Sequence, residues 1–85
     1  MSYDIVFYND YDTSLRFILA VLVMCLGYTS LAALKKAGHM GFFEKAVVAT
    51  YARRSVARMK AEQIKKLAQS YGYPLKICVQ SRPNK

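Results

Sequence analysis

From Phe17 to Leu34 the chain runs for 18 residues without a charged side chain, FILAVLVMCLGYTSLAAL, bounded by Arg16 on one side and Lys35-Lys36 on the other. As one helix, at about 1.5 Å per residue, it would cover roughly 27 Å of a hydrocarbon core about 30 Å thick. Nine of its residues are Leu, Ile, Val or Phe, each favouring the membrane centre by about 0.3–0.6 kcal/mol, and only Gly27, Tyr28, Thr29 and Ser30 weigh noticeably against them. The run predicts a transmembrane helix over residues 16–36. A buried helix in a soluble assembly is the competing reading of the same residues.

Charge supports the membrane reading and orients it. Residues 1–16 carry Asp4, Asp10 and Asp12 against Arg16, so the segment lacks the basic flank of a signal peptide and the acid-poor composition of a transit peptide. Residues 35–85 hold twelve basic and two acidic side chains, a net +10 within a chain of net +8. The positive-inside bias then predicts a C-terminal tail facing the cytoplasm or the mitochondrial matrix. Cys25 and Cys78 lack the spacing of a disulfide framework or a zinc site, and His39 has no second histidine or cysteine pair to complete a metal site. At 85 residues and 9.7 kDa the chain is one small unit, a poor start for an enzyme.

The flanking segments follow from local chemistry. Residues 1–15 form an aromatic and acidic segment whose Tyr3, Phe7, Tyr8 and Tyr11 suit a membrane interface, and Asp12, Thr13 or Ser14 could cap the helix. Residues 37–41, with Gly38 and Gly41, predict a turn. Residues 42–71 are rich in helix formers, with Val48, Val56, Met59, Ile64 and Leu67 on an apolar stripe and basic side chains opposite. Gly72 and Pro74 stop that helix, and residues 75–80 alternate apolar and polar side chains as a half-buried strand does, so 72–85 reads as an extended arm and tail. The fold class expected is therefore an all-α membrane protein: one transmembrane helix, a long basic amphipathic helix and a short C-terminal arm.

No catalytic constellation, cofactor motif or metal cluster is visible, so the candidate sites are contact surfaces. Ala20, Gly27 and Ser30 are expected to pack against a neighbouring membrane helix. Val48, Val56, Met59, Ile64 and Leu67 are expected to dock on protein, and Lys35, Lys36, Arg53, Arg54 and Arg58 to meet lipid headgroups, at about 1 kcal/mol per charge. Nucleic acid is disfavoured, since no base-reading module accompanies the charge.

The acidic and aromatic N-terminus, the span beginning at Arg16-Phe17 and the basic helix containing Tyr51-Ala52-Arg53-Arg54 resemble the supernumerary single-span subunits of mitochondrial respiratory-chain complexes. The resemblance covers the whole chain in architecture, with no diagnostic motif. It implies a non-catalytic accessory subunit that stabilises or assembles an energy-transducing membrane complex, with respiratory complex I foremost. The partners implied are other subunits and an anionic phospholipid such as cardiolipin. The place implied is the mitochondrial inner membrane with the basic tail in the matrix, although a bacterial or other organellar membrane would present the same outline. The alternative is a single-span regulator whose Arg53, Arg54, Arg58, Lys60, Lys65 and Lys66 bind anionic lipid or nucleic acid.

Overall fold

The computed structural model describes residues 1–83, so Asn84 and Lys85 of the expected tail lie outside the described residues. Among the described residues six elements follow one another: β1 (Ser2–Tyr8), α1 (Leu15–Met24), α2 (Ser30–Met40), β2 (Lys45–Tyr51), α3 (Arg54–Ser70) and β3 (Lys76–Arg82). The strands form an antiparallel sheet in the order β2-β1-β3. Successive side chains of β1 point to opposite faces. Ile5 and Phe7 enter a core shared with all three helices, while Asp4 and Val6 lie on the other face. This α/β architecture replaces the expected all-α membrane fold.

The 18-residue run is not one helix. α1 spans 10 residues, about 15 Å, and no helix among the described residues is long and apolar enough to cross a membrane. The chain turns at Gly27, whose φ of 77° lies in the left-handed region, and restarts where Thr29 caps α2 by accepting from the Ala32 N–H at 3.2 Å. In α1, Phe17, Ile18, Val21 and Leu22 are buried while Ala20 and Met24 face outward. Ala33, Ala37 and Met40 do the same work for α2. The apolar run is thus the helical half of a core folded back on itself. With the span gone, so is the assignment to the mitochondrial inner membrane with a matrix tail.

The expected helix over 42–71 is also two elements. Val47, Val48, Thr50 and Tyr51 are β-branched or aromatic residues suited to a pleated surface; Tyr51 pairs with Tyr3, Thr50 with Asp4 and Val47 with Val6, and Val48 falls at a register shift between the partners of Ile5 and Val6. The helix that follows, α3, packs on the sheet through Ala57, Ala61, Ile64 and Ala68, three alanines around one large apolar side chain. Gly72, with φ 75°, ends it by turning the chain so that the Tyr73 N–H donates to the Ala68 carbonyl at 2.9 Å. Of residues 75–80, expected as an arm in need of a partner, 76–80 lie in β3, and the partner is β1 of the same chain.

The N-terminal segment, expected at a membrane interface, supplies the central strand. Asp4 is buried on it and holds the three strands together: one carboxylate oxygen accepts from Thr50 Oγ1 at 2.7 Å, and the other from Arg82 Nη2 at 2.7 Å and Nε at 3.0 Å. A second cross-link comes from Tyr28, whose hydroxyl donates to the Val48 carbonyl at 2.5 Å. Burial, and then the neighbouring Tyr51, push the Tyr28 phenol above its ordinary value of 10.0. The stability that follows is fully present below the unfolded pKa and is lost as pH rises through the folded one. Tyr28→Phe is expected to lower stability near neutral pH by about 1 kcal/mol and to weaken the fall above about pH 10, measured by urea unfolding at several pH values.

Candidate functional site

A cavity of about 160 Å³ opens where the end of β1, the loop after it, the first turn of α1, the last turn of α2 and the residue before β3 meet. Its walls inside are Ile18, Ala37, Met40 and Leu75, all buried, and its mouth carries Tyr8, Asn9, Asp10, Thr13, Leu15 and Gly41. The interior is therefore apolar and the rim mixed.

Local hydrogen bonding holds the rim in place. One Asp10 oxygen accepts from the N–H groups of Asp12 at 2.9 Å and Thr13 at 2.7 Å, and the other accepts from Thr13 Oγ1 at 2.8 Å. This is the way an Asp closes a tight turn. Ser14 then caps α1, its Oγ accepting from the Phe17 N–H at 3.1 Å. Across the mouth, the Asn9 N–H donates to the Glu44 carbonyl at 2.8 Å, tying this loop to the one after α2.

The charge at the mouth runs against that of the chain. Net charge is +8 and only five side chains are acidic, yet Asp10, Asp12 and Glu44 all stand in the two loops around the cavity. The C-terminal end of α2, at Met40 and Gly41, brings the negative end of the helix dipole to the same place. A carboxylate offers about four lone-pair positions, of which Asp10 uses three within the loop. The site thus matches a group with a small cationic head and an apolar body. Its lining residues include no His, Cys, Ser or Lys.

The residues singled out from the sequence lie elsewhere. Ala20 lines a different groove of about 480 Å³ between α1 and the end of α3, together with Phe17, Leu67, Tyr71 and Tyr73. Gly27 sits in the turn and Ser30 opens α2, so the three do not share a helix face as a membrane-packing set. Val48 and Ile64 are core residues, Val56 is half-buried, and Met59 and Leu67 are exposed. Lys35, Arg53, Arg54 and Arg58 are exposed and Lys36 is half-buried. Arg54 and Arg58 flank a shallow cleft with Glu62 and Lys65. Cys25 is buried beneath the larger groove, where burial pushes its thiol up against the opposing charge of Lys60. The cavity residues Asn9, Asp10, Thr13, Leu15, Ile18, Ala37, Met40 and Leu75 were not visible as a set. The one local signal for them is the Asp10 to Thr13 turn leading into a capped helix.

A family model described as "ATP-dependent Clp protease adaptor protein ClpS" matches residues 1–78. The chain belongs to the ClpS family. Among solved structures, "The structure of Agrobacterium tumefaciens ClpS2 bound to L-phenylalaninamide" is similar with a TM-score of 0.88 at 23% identity, covering 95% of this chain and 96% of that one. At that identity the likeness speaks to the ClpS2 fold alone. A comparison with curated proteins finds no match. Membership of the ClpS family overturns the expected respiratory-chain subunit, complex I included, and the single-span regulator beside it. It also replaces the expected partners, other membrane subunits and cardiolipin, with a protease system. A ClpS protein is an adaptor to the protease and not the enzyme itself.

Proposed function

We propose that the cavity holds the first residue of a protein substrate, with the α-ammonium at the Asp10 rim and a bulky apolar side chain among Ile18, Ala37, Met40 and Leu75. As a ClpS-family adaptor, the chain would then hand substrates with such an N-terminal degradation signal to an ATP-dependent Clp protease. The observation that carries this reading is an apolar cavity of about 160 Å³ with the Asp10 carboxylate on its rim, in a chain of net charge +8. The ligand named for the similar ClpS2 structure, L-phenylalaninamide, has the corresponding build: a free α-amino group and a benzyl side chain on one carbon.

The test is fluorescence anisotropy with a labelled peptide beginning in Phe. Binding is expected to saturate, and N-acetylation of the same peptide to weaken it by about ten- to hundredfold, because a charge-assisted hydrogen bond of roughly 1.5–3 kcal/mol is lost. Equal affinity for the acetylated peptide would reject the reading.

A further inference from the structure

Beside the cavity lies a second, shallower depression of about 340 Å³, and the two share Asn9 and Gly41 as a common wall. Its other lining residues are Tyr11, Phe42, Phe43 and Glu44. Tyr11 is 102% exposed, Phe42 86% and Phe43 49%. Single apolar side chains on a surface are ordinary, but three aromatic rings gathered at the lip of a binding cavity mark an interaction surface. The rings are carried on ordered backbone. The Phe42 and Phe43 N–H groups donate to the carbonyls of His39 and Met40, both at 3.2 Å, and the Phe43 ring packs on His39 with centroids 4.7 Å apart. Asn9 ties Tyr11's loop to theirs through the bond to Glu44.

The occupant follows from the geometry of an extended peptide. Side chains alternate between the two faces of such a chain, so the first and third point the same way, about 7 Å apart. Two depressions that share Asn9 and Gly41 as a wall suit two side chains on the same face of such a chain, and the second side chain would then face solvent. We propose that the Tyr11, Phe42 and Phe43 depression is a subsite for the third side chain of the bound peptide and takes an aromatic or large aliphatic residue. Glu44 at its edge disfavours an acidic one. This inference rests on the cavity holding the peptide's first residue.

Competition anisotropy with the peptides Phe-Ala-Phe, Phe-Phe-Ala and Phe-Ala-Ala, each extended by the same neutral tail, tests it. Phe at the third position is expected to tighten binding about tenfold over Phe-Ala-Ala, and Phe at the second position to change it by less than about twofold. In the variant Phe42→Ser/Phe43→Ser the ratio of the first to the last peptide is expected to fall to about one. Phe42→Ser alone, at the more exposed ring, is expected to lower it partway, and this keeps the test usable if the double variant folds poorly. Equal affinities for Phe-Ala-Phe and Phe-Ala-Ala, a gain at the second position, or a preference that survives both variants would overturn the subsite. If none of the three peptides binds the unaltered chain, the cavity reading itself fails and the subsite with it.

Discussion

Ala37→Phe is expected to weaken binding of a peptide beginning in Phe by about a hundredfold or more while leaving the fold intact. Ala37 is buried on the last turns of α2 and forms part of the apolar wall of the cavity. A ring added there enters the space of about 160 Å³ that the substrate side chain would occupy. A hundredfold loss corresponds to about 2.7 kcal/mol, within what burying one aromatic side chain supplies. Filling an apolar void from within costs the fold little where the ring finds a relaxed rotamer. The melting temperature should therefore stay near that of the parent, and anisotropy measured beside thermal unfolding separates the two effects. Undiminished peptide binding in this variant would place the binding site outside the cavity.

Phe7→Ala carries the largest effect expected on stability, a loss of about 3–5 kcal/mol. Phe7 is fully buried on the central strand, paired to Ala46 on one side and Ile77 on the other, and its ring is among the largest enclosed side chains. Truncation removes the transfer energy of the ring and leaves a cavity that a sheet paired on both edges can collapse around only in part. Domains of this kind have about 5–15 kcal/mol in total, so much of the folded population is at risk. Leu31→Ala is the useful control. Leu31 belongs to the same uncharged run that suggests a membrane span, but it is 64% exposed, and its loss should change stability by no more than about 0.5 kcal/mol. Urea unfolding of the two variants should show the midpoint shifting strongly for the first and little for the second.

Features that depend on near neighbours along the chain can be read without the fold. The stop at Gly72 and Pro74 is legible because a left-handed cap and a missing N–H act locally, and the alternation of residues 75–80 is legible because a strand repeats every two residues. The absence of a paired cysteine spacing is equally plain, and both cysteines are free. The run from Phe17 to Leu34 shows where this kind of reading stops. Transfer out of water favours Ile18, Val21 and Leu22 whether they meet lipid or the Ile5 and Phe7 face of a sheet, so hydropathy alone does not choose between the two. Contacts distant in the chain make the choice: Gly27 breaks the run, β1 supplies an apolar face, and Tyr28 ties the break to β2. The segment 42–51 follows the same rule, since Ala, Lys and Glu favour a helix locally and pairing with β1 outweighs that preference. The cavity is the extreme case. Asp10, Ile18, Ala37, Met40 and Leu75 come from four separate stretches, and each is ordinary where it stands in the sequence. They become a site only because the sheet brings residue 75 back beside residue 8, a contact whose energy is set by the whole fold.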